Sequence, residues 1–234
     1  LAGGVTKTVR WIVNGDEEFV PKIYGRLHHF DFIRQTLTLG AHSTKEKNQL
    51  RSTLLIDPIL SALIAKIKVS RVGEITTLCP TFLPELVSAL QAMVVRGGFV
   101  RMITNGSWKD GVAFQSWPAW VLSLPALDKL LEAGVKIFTF QANFNQPWVY
   151  LHRKTAVFDD TVFFGSHNFN TPSSLSNDEM SFEVDSPVLA AQVKSLSDRA
   201  ILRNAMPIGS ELVRRARGET KFFRKMLTPV TGIY

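Results

Sequence analysis

Residues 150 to 170 read "YLHRKTAVFDDTVFFGSHNFN". His152 and Lys154 stand two apart in an apolar run. On a strand, side chains two apart share a face, so these two project together while Arg153 and Thr155 point the other way. A neutral imidazole at a strand end can attack phosphorus, and an ammonium beside it can hold phosphate oxygens by charge-assisted hydrogen bonds. The following Gly165-Ser166-x-Asn168 corner can bring a hydroxyl and backbone N–H groups close to an anion, because glycine lets the backbone approach. Asn168 adds an amide donor. Farther on, "SNDEMSFEV" supplies Asn177 and then Glu179 at the start of another strand. A carboxylate there can bond the far nitrogen of His152, fix its tautomer and stabilise the cation. Each residue also has a plainer role: the His–Lys pair as a structural couple, Ser166 and Asn168 as turn stabilisers, and Glu179 as an ion-pair partner of Lys154.

The order and spacing resemble the phospholipase D superfamily, which carries an H-x-K-x4-D element, then G-S-x-N, then N-x-E. Here these positions are His152, Lys154, Asp159, Gly165, Ser166, Asn168, Asn177 and Glu179. The resemblance extends upstream. "GEITTLCPTFLPELVSALQAMVVRGGFVRMITNGSW" is similar to the cardiolipin synthase and phosphatidyltransferase branch, and "SSLSNDE" to its "RSxxxNxE", with Ser173 in place of the usual arginine. About residues 55–200 are covered. The resemblance implies two-step displacement at a phosphodiester with no metal or other cofactor. His152 would be the nucleophile or its acid/base partner, passing through a phosphohistidine. Lys154, Ser166, Asn168 and Asn177 would bind the phosphate, and Glu179 would orient the histidine. Asp159 belongs to the motif, but its place at a strand-ending turn suits a structural role at least as well.

That chemistry needs two such motifs, and the sequence shows one. "LHHFDF" holds His28 and His29 without a lysine two residues on, and His42 and Lys45 are spaced too far apart to share a strand face. These histidines read as surface or loop residues. His167, at the variable position of the corner, receives no role. The second motif could come from another copy of the chain by two-fold symmetry, as the resemblance to single-motif nucleases implies. Alternatively the chain is the second half of a two-motif enzyme. The opening "LAGGVTK" faintly resembles the "GGxN" that follows a first motif, with Thr6 where the asparagine should be. With the Leu start, this favours a fragment or degenerate copy.

The elements that must position these residues can be read from the pattern. Asp57-Pro58 opens a helix, with "ILSALIAKIK" following at helical spacing. Then come a strand (74–80), a helix (83–98), a strand (99–105), a helix (125–134) and a strand (135–141). Two strands flank the Asp159-Asp160 turn, another covers 179–185, and Ser186-Pro187 opens a last helix. This alternation predicts an α/β fold with a mixed, largely parallel sheet flanked by helices on both faces. The expected organisation is an ill-defined leader (1–50), a catalytic domain (51–205) and a basic tail (206–234). Trp108, Trp117 and Trp120 fall in a loop after strand 99–105, where they could line a lipid entrance or, more simply, pack that loop.

The 234 residues, 45% hydrophobic and 20% charged, suffice for a core without staples. A lone cysteine, Cys79, in apolar company, excludes an intrachain disulfide and reads as a buried thiol. No signal peptide is visible, and no apolar run approaches the ~20 residues that cross a bilayer, so the chain as given is soluble or peripheral at a membrane, in an undetermined compartment. The net charge is +7. From Arg203 to Lys225, seven Arg or Lys face only Glu211 and Glu219, interleaved with Phe222 and Phe223. Such a stretch suits an anionic membrane surface or nucleic acid, or simply a solvated terminal helix.

The leading expectation is therefore a hydrolase or phosphatidyltransferase acting on phospholipids. A homodimeric nuclease of the same superfamily is the alternative. An inactive membrane-binding module is the reading from another class.

Overall fold

The computed structural model describes residues 11–13, 17–19, 22–26, 57–78, 80–106, 117–140, 151–175 and 179–231. In chain order the elements are β1 (Trp11–Val13), β2 (Glu17–Phe19), β3 (Lys22–Arg26), α1 (Pro58–Val69), β4 (Val72–Thr76), α2 (Pro84–Val95), β5 (Phe99–Asn105), α3 (Trp117–Glu132) and β6 (Lys136–Phe140). They continue with β7 (Thr155–Phe158), β8 (Thr161–Gly165), α4 (Thr171–Leu175), β9 (Glu179–Asp185), α5 (Pro187–Asn204), β10 (Ala205–Pro207), α6 (Ser210–Glu219) and α7 (Lys221–Thr231).

The helix openings follow from local chemistry. Asp57 Oδ1 accepts the Ile59 N–H at 2.9 Å at the head of α1, and Ser186 Oγ accepts the Leu189 N–H at 3.1 Å at the head of α5. Each cap satisfies an amide that the helix itself cannot, and the proline that follows has no amide to satisfy. Helix α3 begins earlier than expected, at Trp117, and Pro125 lies inside it. Trp120 is therefore a buried helix residue, not a loop residue.

Eight strands form one mixed sheet in the order β10-β6-β5-β4-β7-β8-β9-β3; β1 and β2 pair separately. The pairs β4–β5 and β5–β6 are parallel, each joined by a helical crossover through α2 or α3. The remaining five pairings are antiparallel. The short turn Asp159–Asp160 forces β7 and β8 into a hairpin, and β7 then pairs with β4. Residues entering β7 thus lie beside those leaving β4, at the rim where the parallel strands end.

Helices cover both faces. On one, α1, α2 and α3 enclose a core that includes Leu63, Ile75, Leu86, Met93, Met102 and Phe158. On the other, α5 packs through Ala190 and Val193 on Val157 and Val162. The basic C-terminal stretch is part of this body up to Thr231, rather than a separate tail. Strand β10 pairs with β6, Val213 of α6 is buried in the large core, and Arg217 forms an ion pair with the nearly buried Asp128 of α3. One side of this stretch is apolar enough to find a partner within the domain. Among the described residues, no helix is long and apolar enough to cross a membrane.

Candidate active site

The sheet rim is built first by a close approach of two strands. Gly165 ends β8 opposite Ser181 of β9. A Cβ on Gly165 would stand 2.1 Å from the Met180 carbonyl oxygen, so only glycine allows the strands this near. Ser166 N–H then donates to Met180 O at 2.9 Å, and Met180 N–H donates to Ser166 Oγ at 3.0 Å. With its oxygen so held, the Ser166 hydroxyl donates its proton to Glu179 Oε2. The Gly-Ser corner and the glutamate, thirteen residues apart, are joined by this exchange.

His152 and Lys154 reach the same rim from the adjacent strand. Thr155, the first residue of β7, sits opposite Phe164 of β8, so the segment 151–154 runs in beside the corner. Lys154 is half-buried and donates from Nζ to the His152 carbonyl oxygen at 2.8 Å, while the His152 side chain is exposed. Partial burial, and then the Lys154 charge, lower the His152 pKa below its ordinary value. Both causes favour the neutral imidazole, the form that can act as a nucleophile.

Two clamps hold this segment although it lies outside the strand. Asn105, the last residue of β5, accepts the Leu151 N–H at 2.8 Å and donates to Leu151 O at 3.0 Å. Arg153 projects to the opposite face, as alternation requires. There it donates to Thr76 Oγ1 at 3.0 Å and to Ser197 Oγ at 2.5 Å. Ser197 in turn donates to Glu74, which also binds Arg101 at 2.6 Å. A guanidinium that is largely buried needs such a network to offset its desolvation. The sequence motif hides both clamps, because their partners lie 46 and 44 residues away.

Behind the corner stands His167, fully buried. Its Nδ1 accepts the Phe169 N–H at 2.8 Å, so the ring proton resides on Nε2, which lies 2.7 Å from Asp57 Oδ2. Phe169 has a positive φ of 54°, a strained value that this bond helps hold. Asp57 therefore caps α1 with one oxygen and braces the corner with the other. Thr77 Oγ1 donates to Asn168 O at 2.5 Å, and Asn168 N–H donates to Ser173 Oγ at 3.2 Å. Ser173, which replaces the family's arginine, is thus a buried brace of the corner. The side-chain oxygen of Asn168 is buried without a hydrogen-bond partner among the described residues.

The structure brings His152, Lys154, Ser166, Asn168 and Glu179 to one rim. Glu179 accepts the Ser166 hydroxyl there, which ties the glutamate to the corner. Asp159 stands apart. It occupies the turn at the far end of β7, seven residues and roughly 20 Å from His152. Its carboxylate accepts the backbone N–H groups of Val72 at 2.9 Å and Arg71 at 3.2 Å, at a φ of 51°. These bonds hold the turn, the structural role that its position at a strand end suggested. Asn177, His28, His29, His42, Cys79 and Trp108 lie outside the described residues.

The family profile of the cardiolipin synthase, phospholipase D-like domain matches residues 63–200, more than half of the chain. No curated protein is significantly similar in sequence. Among solved structures, the chain is similar to Nuc, a phospholipase D family member from Salmonella typhimurium, at 19% identity and TM-score 0.52, covering 64% of this chain and 90% of that one. It is similar to NucT from Helicobacter pylori at 20% identity and TM-score 0.52, covering 82% and 100%. It is also similar to phosphatidylserine synthase from Haemophilus influenzae at 15% identity and TM-score 0.55, covering 73% of this chain and 43% of that one. These likenesses show the fold. The profile match, which spans the rim residues just described, shows the family: the chain belongs to the cardiolipin synthase type of phospholipase D-like domains.

Proposed function

We propose that this domain cleaves or transfers a phosphodiester of phospholipids through a phosphohistidine formed at His152. The observation that carries the proposal is the convergence of His152, Lys154, Ser166, Asn168 and Glu179 on one rim from three neighbouring strands. A neutral His152 nitrogen would attack phosphorus, and the bond to the leaving alcohol would break as an acid protonates its oxygen. Water or an acceptor alcohol would then displace the histidine and take the phosphoryl group. Lys154 and the amide of Asn168 would hold the non-bridging oxygens, with Asn177 joining them as its place in the motif implies. Glu179, acting through Ser166, would keep the site polarised towards the histidine.

This reading assigns the acid in the first step to a second histidine, as the family resemblance implies. His167 cannot serve, because it is buried and bonded to Asp57 and Phe169. The second motif would therefore come from another copy of the chain or from a companion half. The phospholipid reading is supported by the cardiolipin synthase profile and by the basic, Phe-bearing C-terminal helices. A nuclease reading is supported by the net charge of +7.

The test is turnover without added metal over a range of protein concentrations. Phosphatidylglycerol in mixed micelles is compared with single-stranded DNA, beside His152→Ala. We expect lipid turnover that requires His152 and rises faster than linearly with protein as copies pair. DNA cleavage without lipid turnover would replace the substrate. No turnover at any concentration, alone or with a companion half that carries the other motif, would leave a binding module and overturn the enzymatic reading.

A further inference from the structure

Helix α7 has two unlike sides. Its inner side is occupied: Leu227 packs against the large core, and half-buried Arg224 donates to Arg217 O at 3.3 Å. At 100° per residue, Phe222 and Met226 fall on the opposite side and Phe223 on its flank. They are 69%, 57% and 46% exposed. The Phe222 and Phe223 rings meet edge to face with centroids 5.8 Å apart, so the patch is continuous. Exposed Lys221 and Lys225 border it, and α6 adds exposed Leu212, Arg214 and Arg215. The acids nearby in sequence are Glu211 and Glu219, and Glu219 is bound by Arg215 at 2.9 Å.

A helix that merely met water would carry polar residues at 222, 223 and 226. Three large apolar groups within five residues mark a contact surface instead. We propose that α7 lies in the plane of an anionic phospholipid surface. Phe222, Phe223 and Met226 would enter below the headgroups, while Lys221, Lys225, Arg214 and Arg215 engage lipid phosphates. The charge pattern selects this occupant. A second copy of the chain would bring Lys221 and Lys225 against their own counterparts across the dyad. A nucleic acid backbone would meet cations at the edge of the patch and leave Met226 and Phe222 against phosphate. The proposal does not depend on the chemistry at His152.

The experiment is co-sedimentation of the full chain with vesicles of equal parts phosphatidylglycerol and phosphatidylcholine, and with phosphatidylcholine alone. Binding to the anionic vesicles should be at least about tenfold tighter and should weaken with salt. The double substitution Phe222→Ser with Met226→Ser should reduce it at least about tenfold while the thermal unfolding midpoint stays put. Lys221→Gln with Lys225→Gln should reduce the preference for anionic over neutral vesicles. His152→Ala should bind like the parent chain, which separates this surface from the catalytic reading. Equal binding by the parent and the Phe222/Met226 variant would overturn the proposal. So would binding of a single-stranded oligonucleotide, or self-association, that is lost in that variant while vesicles go unbound.

Discussion

Asn105 and Leu151 are joined by a two-way bond, in which the asparagine side chain accepts the Leu151 N–H and donates to its carbonyl. One amide thus replaces a strand partner for the residue just before His152, at a point where regular pairing has not begun. Asn105→Ala would let the histidine drift while every rim side chain remains. A misplacement of about 1 Å is expected to lower kcat roughly 100-fold with little change in KM. Steady-state kinetics on a chromogenic phosphodiester check this, and a KM effect without a kcat effect would contradict it.

The two histidines of the motif region should answer mutation in opposite ways. His152 is exposed, so His152→Ala should abolish turnover and leave unfolding by denaturant unchanged. His167 is buried against Asp57. His167→Ala would strand that carboxylate and cost about 3 kcal/mol. Urea midpoints for both variants decide the matter.

The lowered pKa of His152 sets a pH dependence. Because burial and then Lys154 disfavour the imidazolium, the imidazole stays neutral as pH falls through about 6.5. Activity should therefore be lost only below that value. Lys154→Met removes the second cause and keeps the first, so the His152 titration followed by NMR should move part of the way back up. A titration unmoved by this substitution would remove Lys154 as a cause.

Asp159 should behave as a structural residue. Asp159→Ala loses the acceptor for Arg71 and Val72 and leaves the β-carbon at positive φ without the bonds that compensate for it, a loss of about 1–2 kcal/mol. Asp159→Asn keeps an acceptor and tolerates that φ, so it should restore most of the stability. Both should retain turnover per folded molecule within a few-fold. A collapse of kcat in a stable Asp159→Asn protein would return this residue to the chemistry.

What could be read from the residues was what neighbours decide. Asp57-Pro58 and Ser186-Pro187 announce their helices because cap and proline act within one turn. His152 with Lys154, and the Gly165 corner, announce a shared face because strand alternation is local. The hairpin at Asp159–Asp160 was legible for the same reason, whereas the antiparallel seat of β7 beside β4 was not. Pro125 looked like a helix start, since proline favours the first turn, but the apolar residues before it bury Trp120 and carry α3 back to Trp117. The C-terminal stretch looked separate because its amphipathic pattern does not say which body Val213 will meet. Least legible was the support behind the site: Asp57 with His167 spans 110 residues, and nothing local to either marks the other.

The turn held by Asp159 has a consequence at the other end of its strand. Asp159 lies seven residues after His152, an odd step, so the two ends of this ruler present opposite faces. Lengthening it by one residue, with the peg still seated on Arg71 and Val72, would exchange the two sides of the segment 152–154. The imidazole and the ammonium would turn into the pocket of Glu74 and Ser197, and a guanidinium would emerge at the rim. The interval between Lys154 and Asp159 is thus a gauge of strand length, and the seated aspartate sets which side chains of the segment 152–154 reach the rim.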